Sequence, residues 1–331
     1  MLLVQVAFSM HRQLTLSSLA KATRSREEIV MVVRVVLSAL LLAWLAACAN
    51  DPVTKAMPSV QQMDVNGARL AYIERGRGVP VVFVHGSMND YRAWGPQLEA
   101  VSRQYRAVSY SQRYFGSAPW QTDWPKFGVN VHAADLAGFI RALGTGPVHV
   151  VGWSYGASVA LATVQQYPEL VKSAFLYEPA HPTFVTDEAD LKALTDDRVN
   201  FAPAVQAVRV GDNMAAARAL FDVVDNSKDA FSAMPPHFQA MVVENARTMP
   251  LLLTAQEAPP PISCAQLRGV QPVVAIARGE RTRPFYRLIA DTAAKCMLNS
   301  RHIVVTGATH LWPATNPSAF SETVLTFLAK Q

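Results

Sequence analysis

From residue 60 onward, the hydrophobic and polar positions of the chain switch repeatedly between two periods. Residues 60–65 and 70–74 read as strands on either side of Asn66-Gly67, a pair suited to the positive φ angles of a two-residue hairpin. Pro80-Val-Val-Phe-Val84 is apolar throughout, as a strand covered on both faces must be, and it runs into His85-Gly86-Ser87-Met88. A helix is predicted over 91–105 and a strand over 106–109. A second helix over 131–143 would place Val131, Leu136, Phe139, Ile140 and Leu143 on one face. Residues 148–151 form another short β-branched run. From Ala157 onward Ala, Val and Leu fall at helical spacing until Tyr167-Pro168, where proline ends the helix. A strand over 171–176 follows.

The alternation then stops. Residues 181–262 carry short helical patterns, among them 214–224 and 238–247, separated by Pro203, Pro235-Pro236 and Pro259-Pro-Pro261. With no strand pattern among them, they read as an inserted helical cap. Strand–helix alternation resumes with a strand over 272–277, a helix over 285–294, a strand over 303–305 and a helix over 317–328. The expected organisation is a core of 60–180 and 263–331 with a cap of 181–262, and no internal repeat.

Where the 148–151 strand gives way to its helix lies Gly152-Trp153-Ser154-Tyr155-Gly156, a G-x-S-x-G sequence. A serine at such a junction sits on a strained turn that lifts its hydroxyl out of the sheet, and the glycines leave room for neighbouring backbone. Ser154 is therefore the expected nucleophile. A hairpin leading into repeated βα units, with this elbow in mid-chain and a helical insertion behind it, resembles the α/β-hydrolase fold. The resemblance rests on His85-Gly86, the elbow, and Gly307-Ala308-Thr309-His310 after the last strand. It implies an α/β architecture: a mostly parallel central sheet, helices on both faces and the cap. One stretch departs from the family. Where it often has D-x-R-G-x-G-x-S, this chain has Ser111-Gln-Arg113-Tyr-Phe-Gly116-Ser-Ala118, keeping the arginine and second glycine. Tyr110, Tyr114, Phe115, Trp120 and Trp124 nearby would either lie toward the pocket mouth or pack beneath the cap.

A serine hydroxyl needs a base within hydrogen-bond reach. Of the eight histidines, His149 and His302 fall on strands and His132 at a helix start, His11 precedes the core, and His181 and His237 fall in the cap. His310 alone lies on a loop just past the end of a core strand, late in the chain, as the order Ser, acid, His requires. The acid is less direct. The family's usual position follows the strand after the cap, but Gly279-Glu280-Arg281-Thr282 places a threonine there, which cannot orient an imidazolium. Haloalkane dehalogenases and their relatives carry the acid instead at the end of the strand after the nucleophile helix. Here that position is Glu178, in Tyr177-Glu178-Pro179, with Glu280 the second choice. The oxyanion-hole donors expected are the backbone N–H groups of Tyr155 and Ser87, with the His85 side chain bracing its loop.

The first 48 residues read separately from the core. Met31-Val-Val-Arg34 precedes an apolar run over 35–47, too short to span a bilayer and the right size for a signal h-region. It ends in Leu45-Ala46-Ala47-Cys48, which resembles the lipobox of bacterial lipoproteins. That resemblance implies lipidation at Cys48, export, and anchoring to a bacterial membrane, with 49–59 as tether. A complete signal already begins at Met31, which makes it an alternative start to Met1.

The chain of 331 residues is half hydrophobic, enough for a large core, and its composition excludes disordered and collagen-like classes. Its net charge of +5 changes meaning once the leader is set aside, because residues 1–47 hold five basic and two acidic side chains. What remains shows no basic run interleaved with aromatics, so no nucleic-acid partner is expected. No His/Cys/Asp cluster has metal-ligand spacing, and Gly76-Arg-Gly78 opens no helix, so neither a metal nor a dinucleotide cofactor is expected. With Cys48 lipidated, Cys264 and Cys296 remain, and export to an oxidising compartment predicts that they pair. These features point to a lipid-anchored serine hydrolase of small carboxylic esters or related acyl compounds. Carbon–carbon hydrolysis, lactone opening or perhydrolysis would use the same residues. A ligand-binding lipoprotein on a hydrolase scaffold is the non-enzymatic alternative.

Overall fold

The computed structural model describes residues 58–254 and 258–331; the leader, the lipobox at Cys48 and most of the tether lie outside the described residues. Eight strands form one sheet: β1 (Gln61–Val65), β2 (Ala68–Arg75), β3 (Pro80–Val84), β4 (Arg106–Tyr110), β5 (Val148–Trp153), β6 (Val171–Tyr177), β7 (Val273–Gly279) and β8 (Ser300–Val305). Their order across the sheet is β1-β2-β4-β3-β5-β6-β7-β8. The β1–β2 hairpin turns where expected. Val65 faces Ala68, and Asn66 and Gly67 both take positive φ, as a turn of two residues between twisted strands demands. β2 is antiparallel to both neighbours, and the strands from β4 to β8 run parallel.

Helices cover both sides of the sheet. In chain order, α1 (Gly95–Val101), α2 (Val129–Leu143) and α3 (Tyr155–Gln166) precede the insertion. The helix expected over 91–105 is shorter than its pattern. A 3₁₀ turn at Tyr91–Trp94 leads into α1, which starts at the proline-bearing Gly95-Pro96 and ends at Val101. Proline suits a first helical turn and cannot continue one, which moves the α-helical start to this point. Between β6 and β7 come α4 (Glu188–Arg198), α5 (Ala202–Arg209), α6 (Asn213–Val224), α7 (Ala230–Ala233), α8 (Pro236–Asn245), α9 (Met249–Leu253) and α10 (Cys264–Arg268). After β7 follow α11 (Pro284–Cys296), α12 (Trp312–Thr315) and α13 (Pro317–Leu328). α2 packs on α3, and α1 on α13.

β3 and β5 are buried along their whole length, so the core runs through the middle of the sheet. Cys264 and Cys296 form a disulfide joining the start of α10 to the end of α11. Parallel register decides where the chemistry collects. Val84 pairs with Gly152, Trp153 with Tyr177, Tyr177 with Ala277, and Gly279 with Val305. The loops that leave β3, β5, β6, β7 and β8 therefore all emerge at one edge, where ligands bind in open α/β sheets.

Candidate active site

Ser154 directly follows β5 and precedes α3, with φ 57° and ψ −121°. That conformation is sparsely populated for a residue with a side chain, and such strain is stored at functional positions. The close packing that enforces it explains Gly156. A Cβ there would lie 2.3 Å from the carbonyl oxygens of both Val84 and His85. The elbow thus presses α3 against the end of β3 and leaves the Ser154 side chain pointing out of the sheet.

The structure brings three of the predicted side chains into a line. Ser154 Oγ lies 3.0 Å from His310 Nε2, and His310 Nδ1 lies 2.6 Å from Glu178 Oε2. With the carboxylate facing Nδ1–H, Nε2 is left as the acceptor for the serine hydroxyl. Glu178, itself at φ 51°, and His310 are almost wholly buried, at 0 % and 2 % exposed. A buried carboxylate needs donors, and Glu178 has two more. Gly279 N–H donates to Oε1 over 2.8 Å, and the Thr282 hydroxyl donates to Oε2 over 2.9 Å. The position that sequence reasoning dismissed as a threonine therefore supports the carboxylate rather than replacing it. Gly279 has to be glycine for that contact, since a Cβ would sit 2.2 Å from the Ala308 carbonyl oxygen. Glu280 stands elsewhere, exposed, accepting from Gly307 N–H at 2.9 Å.

The loop bearing His310 is fixed from below. Trp153 Nε1–H donates to the His310 carbonyl over 2.9 Å, and the Tyr177 hydroxyl donates to the Thr309 carbonyl over 2.6 Å. Tyr286, from the first turn of α11, lies flat against the imidazole, with ring centroids 3.9 Å apart and planes inclined by 17°. It is buried, and that burial pushes its pKa up. Nothing local in the sequence announced this residue.

On the other side of Ser154 the loop after β3 is braced by the His85 side chain, as expected. Nδ1–H donates to the Gly86 carbonyl over 2.8 Å, and Nε2 accepts from Gln112 N–H over 3.1 Å. Burial pushes the His85 pKa down to about 4, so the ring is neutral and keeps this tautomer. Ser87 and Tyr155, the predicted oxyanion donors, both line the same cavity as Ser154. The Tyr155 hydroxyl donates to His132 Nδ1 over 2.7 Å, while His132 Nε2–H donates to the Arg113 carbonyl over 3.0 Å. Within the departing stretch 111–118, the retained arginine has a structural role. Arg113 is buried in a two-pronged ion pair with Asp135 of α2 and also donates to the Asn66 carbonyl.

The cavity has a volume of about 520 Å³, and its far wall is apolar, including Val205, Leu220, Phe221, Leu252 and Phe285. None of Tyr110, Tyr114, Phe115, Trp120 and Trp124 lines it. Of the two sequence alternatives, packing is the outcome. Tyr110 stacks on Phe139, while Tyr114 gathers Trp120, Trp124 and Phe127 around it, beside Arg247 of the insertion. Among the described residues, no group of three or more His, Cys, Asp or Glu side chains could hold a metal ion.

A family model described as alpha/beta hydrolase fold matches residues 79–249. A Mycobacterium tuberculosis protein named as a non-heme bromoperoxidase, BpoC, is 28% identical over 273 residues, covering 78% of this chain and 97% of that protein. Among solved structures, a thermophilic esterase from Thermogutta terrifontis superposes with a TM-score of 0.63 at 21% identity, covering 82% of this chain and 98% of the esterase. An enol-lactonase from Burkholderia xenovorans superposes with a TM-score of 0.65 at 18% identity, covering 81% of this chain and 100% of the lactonase.

Proposed function

The chain belongs to the α/β-hydrolase fold family and is an enzyme of it, and from that premise we propose that it is a serine hydrolase of carboxylic esters, with Ser154 as nucleophile, His310 as base and Glu178 as acid. The observation that carries the reading is the continuous line of hydrogen bonds from Glu178 through His310 to Ser154, opening into an apolar cavity. In this reading Ser154 Oγ attacks the ester carbonyl as its proton passes to His310 Nε2. The developing oxyanion is held by the N–H groups of Tyr155 and Ser87. The imidazolium, stabilised by Glu178, returns the proton to the leaving alcohol. Water then enters by the same path, activated by His310, and releases the acid as Oγ recovers its proton. The apolar wall suits an ester with one sizeable hydrocarbon group, admitted beneath a cap made by residues 181–262 over a core of 60–180 and 263–331.

The same reading extends to place. The lipobox ending at Cys48 supports export and a lipid anchor at a bacterial membrane, with residues 49–59 as the tether.

Activity-based labelling tests the catalytic part. A fluorophosphonate should modify wild-type protein on the peptide holding Ser154, and a p-nitrophenyl ester series should be hydrolysed, with Ser154→Ala inactive in both. Hydrolysis retained in the alanine variant would overturn the assignment. For the anchor, Cys48→Ser should abolish lipid attachment and membrane fractionation, and a wild-type chain free of lipid would refute it.

A further inference from the structure

We propose that Asn89 is a specificity-determining residue, whose side-chain amide binds a hydroxyl group that the substrate carries close to its scissile ester. This rests on the serine hydrolase reading above and narrows its substrate class to hydroxylated esters. Several polar groups around the cavity are already engaged within the protein. Ser154 and His310 belong to the catalytic line. Ser158 Oγ accepts from Ala180 N–H over 2.8 Å, and the Tyr155 hydroxyl is taken by His132. Asn89 differs. It lines the same cavity at 2% exposure, its side chain makes no hydrogen bond with any described residue, and Oδ1 is buried without a partner.

A buried amide left unmatched costs about 1–3 kcal/mol, and the loop after β3 does not use it to hold its shape. Its neighbours do that. His85 braces the start of the loop, Met88 is buried at φ 57°, and the Asp90 carboxylate accepts from Arg92 N–H and from Asn245 Nδ2. Gly86 decides what the amide faces. A Cβ at that position would lie 3.4 Å from Ser154 Cβ and 3.5 Å from Asn89 Nδ2. The nucleophile and the amide thus border one small gap that glycine keeps open.

The ligand chemistry follows from what the lining lacks. His181, a second buried side chain there, donates from Nε2–H to the Pro260 carbonyl over 2.7 Å, which leaves Nδ1 as an acceptor, and Nδ1 has no partner. Among the described residues of the lining, the buried unpartnered atoms, Asn89 Oδ1 and His181 Nδ1, are both acceptors. The complementary substrate therefore brings a hydrogen to donate. A hydroxyl does so and also offers lone pairs to Asn89 Nδ2, whereas a carbonyl only accepts and an ammonium only donates. Hydrocarbon in the gap would leave the amide desolvated and unmatched. For that reason sites built to bind a hydroxyl discriminate against the analogue lacking it.

Two matched pairs of esters test this: ethyl β-hydroxybutyrate against ethyl butyrate, with the hydroxyl on the acyl side, and hydroxyethyl butyrate against propyl butyrate, with it on the alcohol side. Wild-type protein should prefer the hydroxylated member of at least one pair by about tenfold in kcat/KM, as one matched hydrogen bond provides. Asn89→Leu, similar in size but without the amide, should bring that ratio near one, chiefly by lowering kcat/KM for the hydroxylated ester. Its thermal midpoint should equal or exceed that of wild type, because an apolar group replaces an unmatched one. Asn89→Ala should lose the preference in the same way. Equal rates on both members of both pairs in the wild type would overturn the proposal, as would a preference retained in both variants. A loss of kcat equal on all four esters would overturn it too, by making Asn89 an oxyanion donor that does not select. Failure of the underlying reading looks different: wild-type protein itself would then resist the fluorophosphonate.

Discussion

The hydroxyl of Thr282 lies 2.9 Å from Oε2 of Glu178, the same oxygen that lies 2.6 Å from Nδ1 of His310. The two side chains come from the ends of adjacent strands, β7 and β6, which are in register at Tyr177 and Ala277. One carboxylate oxygen therefore serves both the imidazole and the threonine, while Gly279 N–H holds the other. The geometry fixes where Glu178 sits before any proton moves.

Substitutions along this line should separate the roles. Glu178→Gln should fold and lose activity by a factor approaching the ~10⁴ of an acid-to-amide change in a serine protease triad, because the amide favours the wrong imidazole tautomer. Thr282→Val should cost about tenfold or less, since it removes one supporting hydrogen bond. Glu280→Gln should leave kcat near wild type, because its exposed carboxylate accepts from Gly307 N–H, away from His310 and Ser154. Steady-state kinetics on one p-nitrophenyl ester decide all three. A Glu280 variant crippled more than the Glu178 variant would reverse the assignment.

Acid should unfold this protein earlier than a chain without its buried histidines. Burial pushes His85 and His149 down to about 4 and His132 down to about 3. Once unfolded, each takes up a proton near the ordinary value of about 6.5. The native state binds fewer protons than the unfolded chain between those values, so stability is complete above about pH 6.5 and is lost as pH falls toward 4 and 3. Urea midpoints measured from pH 8 to pH 5 should fall steadily. A flat profile would mean that these rings are not held neutral.

The strand-end positions were legible in the sequence because their signals are local. The period change around Ser154, the Gly307-to-His310 loop after a short strand and the Glu178-Pro179 step each sit within a few residues of a predicted strand end. Tyr286 was not legible. It is one aromatic in the first turn of an amphipathic helix, and its contact with His310 exists only once α11 has packed over the β8 loop. Thr282 was noticed for what it could not do. Its use depends on a carboxylate arriving from the neighbouring strand, which pairing, not spacing, provides. The short insertion helices were only partly visible. α4 is largely polar, and prolines at α5, α8 and α9 reset the pattern every few residues.

Reduction should weaken the fold without stopping catalysis. The Cys264–Cys296 bond closes a segment with a sequence separation of 32 and joins α10 to the far end of α11, away from Tyr286. By loop-closure reasoning it contributes about 2–4 kcal/mol, chiefly by restricting the unfolded chain. Cys264→Ser/Cys296→Ser should unfold at the same urea concentration as reduced wild type, and both below oxidised wild type. Ester hydrolysis under native conditions should persist in all three. Identical midpoints with and without reductant would show that the bond adds no stability.

The ion pair between Arg283 and Asp197 offers a test of how the insertion is fastened. The guanidinium donates from Nε and Nη2 to the two carboxylate oxygens, each over 2.8 Å, with both side chains less than a tenth exposed. Two charges so buried gain from each other roughly what they lose on leaving water, but either one alone keeps only the loss. Asp197→Ala should therefore destabilise the protein by about 3–5 kcal/mol, because it leaves Arg283 buried without its carboxylate. Replacing both, as Asp197→Leu with Arg283→Met, should recover much of that loss by filling the space with apolar groups. Urea unfolding of the two single variants and the double variant completes the cycle. If the double variant is as unstable as the sum of the single ones, the two side chains act independently, and the contact between α4 and the start of α11 is not what holds the phenol of Tyr286 in place.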